Sequence, residues 1–219
     1  MRSNTPPRDA RFATARWIAL GSAFLLLLGV AFLLDDSIDR WVIATRTPGW
    51  ETIAKTCSRF FAWHWLMLGA AISFFVAWRR RRRDGMRLLA VMMIAASLAG
   101  LSADVLRGMI GRTRPSATVE QGWYGVRSNS QWLIFKHAYN SFPSGHTTAA
   151  TAFALPLFLW RRPLGVVVFP FIVVVASSRI YVSAHHLSDV IAGAALGAVI
   201  ALLIWRRLPN DFPWRRARA

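Results

Sequence analysis

The chain has 219 residues, 55% of them hydrophobic, and a mean hydropathy of +0.36, which is too apolar for an ordinary soluble domain. Its formal net charge of +17 would favour nucleic-acid binding in a soluble protein. Here the arginines flank apolar runs, so the charge indicates membrane orientation and we expect no nucleic-acid partner. The single cysteine, Cys57, excludes an intrachain disulfide.

The N-terminal part of the chain predicts a tail followed by a membrane span. Residues 1–16 are polar and arginine-rich and are interpreted as a cytoplasmic tail. The apolar run 17–34 approaches the ~20 residues needed to cross a bilayer. A signal peptide is the alternative, but its apolar core would be shorter, and no small-residue cleavage pattern follows. Residues 35–56 mix charged and aromatic residues and are interpreted as a segment along the membrane surface.

Two further apolar runs predict the second and third spans. Residues 60–78 form the second and contain His64, for which we favour an interfacial role over a catalytic one. Five consecutive arginines, Arg79–Arg83, follow and are interpreted as a cytoplasmic anchor; the alternative is a binding surface for acidic lipid headgroups. The third predicted span covers residues 86–106.

A charged pair and a long polar loop follow the third span. Asp104 lies at the edge of the apolar region, and Arg107 lies three residues on, on the same helical face. We favour a structural ion pair for Asp104 over a direct role. Residues 112–142 form a polar loop, and the fourth predicted span runs through residues 144–160.

The remaining sequence predicts an all-α polytopic membrane protein with six spans. The fifth span covers residues 164–177, and the sixth covers residues 187–205. The sixth is rich in Ala and Gly, which permits close helix packing. We therefore predict one membrane domain, residues 17–207, with a basic cytoplasmic tail at 208–219.

The distribution of arginine predicts the orientation. With six spans, 17 of the 27 basic residues fall on one side of the membrane, which is the cytoplasmic side by the positive-inside rule. Both termini are then cytoplasmic. The 17 residues are Arg2, Arg8, Arg11, Arg16, Arg79 to Arg83, Arg87, Arg161, Arg162, Arg206, Arg207, Arg215, Arg216 and Arg218.

Three polar stretches, residues 107–115, 143–146 and 178–189, reach the opposite, extracytoplasmic face in this topology. They supply three guanidinium groups, a helix N-terminus, two histidines and a carboxylate. These residues are Arg107, Arg114, Arg179, Ser144, Gly145, His146, His185 and Asp189. Guanidinium forks and helix N-termini both bind phosphate oxygens, so the set predicts phosphoryl transfer.

The spacing of two of these residues suggests which is the nucleophile. His185 and Asp189 are four residues apart at a helix start, so the carboxylate can hold the histidine Nδ1–H and leave Nε2 free. The alternative is a zinc site of His146, His185 and Asp189, but three neighbouring cations would repel a metal, and we predict none. His137 and His186 are interpreted as access-route or supporting residues.

The three motifs together resemble a known family. The patterns are Arg107-(six residues)-Arg114-Pro115, then Pro143-Ser144-Gly145-His146, then Ser178-Arg179-(five residues)-His185-(three residues)-Asp189. They look like the signature of the type 2 phosphatidic acid phosphatase superfamily, integral-membrane lipid phosphate phosphatases related to vanadium haloperoxidases. The family usually begins its first motif with lysine, where this chain has Arg107.

The resemblance implies a role for each residue. His185 resembles the nucleophile that takes the phosphoryl group, Asp189 its orienting partner, and His146 the acid that protonates the leaving group. The implied phosphate-binding set is Arg107, Arg114, Arg179, Ser144 and Gly145. Water then hydrolyses the phosphohistidine, and neither a metal nor another cofactor is implied.

The expected function is hydrolysis of a lipid phosphate or pyrophosphate at the outer face of a bacterial-type inner membrane. Undecaprenyl pyrophosphate, phosphatidylglycerol phosphate, phosphatidic acid and lipid A phosphates are the candidates, and the loop 116–141 is expected to select among them. The alternative is a non-enzymatic transporter or lipid-binding protein with an anion site. A transporter would be expected to have paired half-helices near the bilayer midplane. The sequence leaves the oligomeric state open.

Overall fold

The computed structural model describes residues 8–209, with the backbone alone described for residues 8–17. Within that range the chain is mostly helical, which confirms the predicted all-α class. The helices are α1 Arg8–Thr45, α2 Pro48–Phe60, α3 Trp63–Arg79, α4 Arg83–Ile110, α5 Gly145–Trp160, α6 Gly165–Tyr181 and α7 Leu187–Arg207. The loop between α4 and α5 carries a short antiparallel pair, β1 Arg127–Ser128 and β2 Gln131–Trp132, and a 3₁₀ turn at His137–Tyr139.

Four of these helices have the length and hydropathy of a membrane span: α1 from Ile18, α4, α6 with the preceding 3₁₀ turn, and α7. Helices α2 and α3 meet at a bend of 51° and would together make a fifth. Helix α5 has 16 residues, or about 24 Å at ~1.5 Å per residue, which is short of the ~30 Å hydrocarbon core. The described residues thus hold four or five candidate spans, and the six-span arrangement stays a prediction.

The first helix continues past its apolar run, which differs from the sequence prediction. Residues 35–45, expected to lie along the membrane surface, extend α1 to Thr45, and Asp35 is buried. A carboxylate is tolerated there because it pairs with groups of the protein instead of facing lipid. The predicted tails lie outside the described residues at 1–7 and 210–219, and the first tail is already helical from Arg8.

Helix α5 lies at the centre of the assembly. It packs most extensively against α4 and α7 and also contacts α6. Small side chains allow these close approaches, because a fully buried cluster of alanines fills the space between α4, α5 and α7. The cluster consists of Ala95, Ala99, Ala152 and Ala201.

Two glycines set the distance between α5 and α7, as the Ala- and Gly-rich composition predicted. A Cβ atom at Gly193 would lie 2.6 Å from the Ser144 carbonyl oxygen, and one at Gly197 would overlap the Thr148 carbonyl oxygen. The Ser144 N–H also donates to the Asp189 carbonyl oxygen at 3.0 Å. This contact therefore holds the first turns of α5 and α7 together, where two of the three predicted motifs lie.

We expect Gly193→Ala and Gly197→Ala each to destabilise the fold by about 1–3 kcal/mol, because the added methyl group meets backbone atoms that cannot move aside. The matched control is Gly69→Ala in α3, where a Cβ would meet nothing within 4 Å. That change should be neutral or stabilising by up to ~1 kcal/mol, because alanine favours helix. Thermal unfolding of the three variants in one detergent measures the difference, and equal midpoints would refute close packing at this interface.

Candidate active site

The structure brings the three predicted stretches together. The Arg107 guanidinium lies over Gly145, where a Cβ atom would be 3.0 Å from Nη2. His146 lines the same cleft as these two residues. Ser116, which directly follows the first stretch, joins it to the third, because its N–H donates to the Ser183 carbonyl oxygen at 3.1 Å. The end of α4, the start of α5 and the α6–α7 loop thus form one site.

Three guanidinium groups, one buried and two half-buried, belong to this site. The Nε atoms of Arg107, Arg114 and Arg179 are buried and have no hydrogen-bond partner among residues 18–209. Arg107 pairs with Asp104, as the spacing of three predicted. Arg179 donates to the Ser58 hydroxyl of α2. Each guanidinium is therefore held at one edge while its Nε remains available to an anion.

The arginines are close enough to influence one another. Burial, then the charges of Arg179 and Arg107, lower the pKa of Arg114 to about 10. All the same, Arg114 stays cationic at neutral pH, and its Nη2 donates to the Asn140 carbonyl oxygen at 3.2 Å. The Arg114 charge, followed by burial, lowers the pKa of the exposed His137. Cations gathered at this density are stabilised by a bound anion.

His185 is completely buried and is held in one tautomer. Its Nδ1 lies 2.7 Å from the Ser141 carbonyl oxygen, which can only accept, so Nδ1 carries the proton. Nε2 then bears a lone pair, and it has no hydrogen-bond partner among the described residues. Burial lowers the pKa of His185 to about 4, against the opposing effect of Asp189. The imidazole is therefore neutral at pH 7, with an unprotonated nitrogen in the site.

Asp189 supports His185, but through an intermediary that the sequence did not reveal. We expected the carboxylate to hold the His185 Nδ1–H, whereas its Oδ2 lies 3.6 Å from Nδ1, beyond hydrogen-bonding distance. Oδ2 instead accepts from the Ser141 hydroxyl at 2.5 Å and from the His186 N–H at 2.9 Å. Ser141 thus binds Asp189 with its side chain and His185 with its carbonyl group.

A buried chain of charges continues from Asp189 to α1. Arg112 Nη1 donates to Asp189 Oδ1 at 2.5 Å and to the Ser188 hydroxyl at 2.6 Å, and its Nη2 donates to Asp35 Oδ2 at 2.7 Å. Asp35 also accepts from the Ser188 N–H at 2.9 Å. The Arg112 guanidinium carbon lies 4.7 Å from the centroid of the Trp123 ring, within cation–π range. Arg112 is thereby fixed by α1, α7 and the loop that follows α4.

A cleft of about 570 Å³ opens beside the site between α3, α4 and α5. Arg107, His146 and Asp104 lie at its polar end, and the remainder is lined mainly by small or apolar residues such as Gly100 and Leu101. His64, predicted to be interfacial, also lines it. The α4 residues that line the cleft extend over three turns of that helix, so the cleft runs along α4 and away from the arginines.

Comparison with known proteins identifies the family. The model of the PAP2 superfamily matches residues 84–213, more than half of the chain. The chain belongs to the PAP2 superfamily. This confirms the family that the three motifs resemble, and the matched region contains every predicted site residue.

Several relatives of the chain are phosphatases by name, and one, from Bacillus licheniformis, is a bacitracin transport permease by name. A decaprenylphosphoryl-5-phosphoribose phosphatase of Mycobacterium tuberculosis is 33% identical over 162 residues, which cover 72% of this chain and 80% of that protein. A lipid A 1-phosphatase of Rhizobium johnstonii is 34% identical over 114 residues, 52% of this chain and 45% of the relative. The chain spans about half the length of the lipid A 1-phosphatases that it matches.

The fold has a solved counterpart. The crystal structure of a transmembrane PAP2-type phosphatidylglycerolphosphate phosphatase from Bacillus subtilis superposes with a TM-score of 0.57 at 21% identity. The superposition covers 86% of this chain and 94% of the other. At this identity the likeness supports the fold alone, and with the apolar helices it indicates a multi-pass membrane protein.

The residues missed by sequence reasoning in this PAP2 chain share one property, which is that their partners are distant in sequence. Arg112 and Asp35 are 77 residues apart, and Ser141 is 48 residues from Asp189. One signal was present, because Asp35 follows an apolar run directly and a charge there needs a partner. Among the described residues, no three His, Cys, Asp or Glu side chains converge in a way that would hold a metal ion.

The buried pair of Asp35 and Arg112 yields a stability prediction. We expect Asp35→Asn to destabilise the fold by about 3–5 kcal/mol, because it leaves the buried Arg112 charge without one of its carboxylates. The matched control is its exposed neighbour, Asp36→Asn, which should change stability by less than ~0.5 kcal/mol. Thermal or denaturant unfolding in detergent measures both variants. Equal effects would show that the Asp35 ion pair does not hold α1 in place.

Proposed function

We propose that this chain is a membrane phosphatase that hydrolyses a lipid phosphate or pyrophosphate through a phosphohistidine intermediate. The observation that carries the proposal is the buried His185 Nε2, which has a lone pair and no partner and belongs to a site with three guanidinium groups. The names of the relatives support the substrate class, because they include a decaprenylphosphoryl-5-phosphoribose phosphatase and a lipid A 1-phosphatase.

In the first step, the His185 Nε2 lone pair attacks phosphorus and the bond from phosphorus to the leaving-group oxygen breaks. His146 donates a proton to that oxygen, so the leaving group departs as an alcohol or a protonated phosphate. Arg107, Arg114 and Arg179 bind the non-bridging oxygens and stabilise the charge that is spread over them in the transition state. The Gly145 N–H at the start of α5 adds a backbone donor at a helix N-terminus, and Ser144 positions that turn because its own N–H donates to the Asp189 carbonyl oxygen.

In the second step, a water molecule attacks phosphorus and the P–N bond to His185 breaks. His146, now deprotonated, accepts a proton from the water, and inorganic phosphate leaves. The Ser141 carbonyl keeps the His185 proton on Nδ1 in both steps, so Nε2 returns to its starting state. Every proton and bonding pair is supplied by the side chains, the substrate and water, so we propose a metal-independent reaction.

The cleft between α3, α4 and α5 suits the leaving group of a lipid substrate. It begins at His146, the proposed acid, so the atoms that leave lie at its polar end. Gly100 and Leu101 farther along the cleft supply an apolar route for a hydrocarbon chain. Undecaprenyl pyrophosphate, phosphatidylglycerol phosphate, phosphatidic acid and lipid A phosphates all combine a phosphate with such a chain.

We further propose six spans, residues 17–207, in a bacterial-type inner membrane, with both termini cytoplasmic and the site at the outer face. Helix α5 is the short fourth span, and its 16 residues suffice because α4, α6 and α7 surround it. The excess of arginine on the opposite side supports this orientation. A topology reporter after Ala219 should read cytoplasmic and one inserted at Ser128 extracytoplasmic; the reverse result would place the site on the cytoplasmic face.

The activity test is release of inorganic phosphate by the purified protein from the four lipid classes. The wild type should hydrolyse at least one of them, His185→Ala should fall to the level without protein, and His146→Ala should lose roughly 10²–10⁴-fold. EDTA should leave the rate unchanged, whereas vanadate should inhibit as a trigonal bipyramidal mimic. Lipid phosphate binding without phosphate release would favour the non-enzymatic alternative, and near-normal turnover by His185→Ala would rule out the mechanism.

The three arginines should differ in their tolerance of lysine. The family usually has lysine at the position of Arg107, so Arg107→Lys should keep activity within about tenfold, or ~1.4 kcal/mol of barrier. Arg114→Lys and Arg179→Lys should each lose roughly a hundredfold or more, because lysine has no planar fork for phosphate oxygens. Turnover of one lipid phosphate at matched expression compares them. Equal losses in all three variants would contradict the proposal that Arg107 acts as a point charge while Arg114 and Arg179 act through their planar forks.

A further inference from the structure

His186 lies between two oxygen atoms that can only accept hydrogen bonds. Its Nδ1 is 2.6 Å from Asp39 Oδ2 of α1, and its Nε2 is 3.1 Å from the Thr113 carbonyl oxygen. The side chains of both members of the pair are largely buried, with 6% of His186 and 13% of Asp39 exposed. A neutral imidazole has one N–H and would satisfy one of these oxygens only.

The arrangement requires two protons, one on Nε2 and one between Nδ1 and the Asp39 carboxylate. A carbonyl oxygen cannot donate, so Nε2 must carry a proton. Between Nδ1 and the carboxylate there is one further proton, and it belongs to the imidazole because histidine is the stronger base by about 2.5 pKa units. The geometry therefore describes an imidazolium with a carboxylate on one side and a carbonyl group on the other.

The charges around His186 favour this form. Two carboxylates face it, Asp39 from α1 and Asp189 from the first turn of α7, and one guanidinium, Arg112, faces it from the loop after α4. Burial opposes the charge, but the hydrogen bond to Asp39 and the nearby Asp189 outweigh burial, and the pKa of His186 is raised above its ordinary value of 6.5. The charged ring is thus paired rather than isolated.

We propose that His186 is a positioning residue that acts as an imidazolium, holding the Thr113 carbonyl group and thereby the loop that carries Arg114. The peptide group that it binds lies between Arg112 and Arg114 in the sequence. Its own backbone N–H donates to Asp189, and its neighbour in the chain is His185. One ring therefore connects α1, the phosphate-binding loop and the turn that carries the nucleophile.

The consequence is a dependence on pH that has a defined sign. Deprotonation removes the proton from Nε2, because the Nδ1–H is retained by the Asp39 carboxylate. Nε2 and the Thr113 carbonyl oxygen then present lone pairs to each other, and the loop loses its tether. Since the pKa is raised, the tether is complete below 6.5 and is lost as pH rises through the higher pKa of the folded protein.

The activity arm of the test rests on the proposed phosphatase function and uses a double variant that repairs the hydrogen bonds without charge. In His186→Gln the amide can donate to Thr113, but its oxygen then faces the Asp39 carboxylate, and kcat/KM should fall about tenfold. In Asp39→Asn/His186→Gln the asparagine amide donates to the glutamine oxygen. The kcat/KM of this variant should recover to within a few-fold of the wild-type value. It should also lack the fall in kcat/KM at high pH that deprotonation of His186 causes in the wild type.

Two further variants complete the pH–rate comparison. Asp39→Asn alone should move the alkaline loss to lower pH, because the imidazolium loses its nearest anion. Asp36→Asn, the exposed carboxylate on the same helix, should leave the profile unchanged. If the double variant is no more active than His186→Gln and retains the wild-type profile, His186 has a merely structural role and the proposal is overturned.

The second arm does not depend on any activity. In the wild-type protein labelled with ¹⁵N-histidine, the His186 signals, assigned by their loss in His186→Gln, should show both ring nitrogens protonated below pH 6.5. One unprotonated nitrogen in that pH range overturns the proposal. A wild type that releases no phosphate would count against the phosphatase function, and the NMR result would still decide the state of His186.

Discussion

The buried chain of charges from Asp35 through Arg112 to Asp189 is the constraint on which the site depends. These three side chains come from α1, the loop after α4 and the first turn of α7, and all are buried. A buried charge without its partner would cost several kcal/mol, so none of these segments can be displaced alone. Asp35 follows the apolar run of α1 directly, and its pairing with Arg112 anchors α1 at that point. The chain of charges also leaves Asp189 with an oxygen for Ser141, whose carbonyl group orients His185.

The supporting network has its hydrogen bonds satisfied, whereas the reactive groups do not. Each carboxylate oxygen of Asp189 accepts at least one hydrogen bond, whereas the His185 Nε2 and three arginine Nε atoms have no partner among the described residues. Unpaired buried polar groups are costly and are retained where they serve a function. In the proposed mechanism, a tetrahedral anion would bind to the guanidinium groups with its phosphorus atom facing the His185 Nε2. The close contact of α5 with α7, at Gly193 and Gly197, holds these groups in place although they form no hydrogen bonds with one another.

Sequence reasoning succeeded where the relevant distances are set by a helix. The spacing of three residues predicted the pair of Asp104 and Arg107, and the small residues of α7 predicted its close packing. The spacing of four predicted that His185 and Asp189 would be neighbours, but not that Ser141 would lie between them. Ser141 belongs to an irregular loop that has no periodicity to read. Arg112 was missed because its partner Asp35 is far away in the chain, and only the docking of α1 against α7 brings the two together.

The most direct measurement of the central claim is the identity of the residue that carries the phosphoryl group during turnover. The protein would be mixed with a lipid phosphate labelled with ³²P, quenched in base within the first turnover and digested for mass spectrometry. We expect one acid-labile, base-stable phosphohistidine, at His185 and on Nε2, and no labelled protein from His185→Ala. A phosphoryl group on His146 or on another residue would contradict the proposed mechanism. Release of phosphate by His185→Ala at the wild-type rate would contradict it as well.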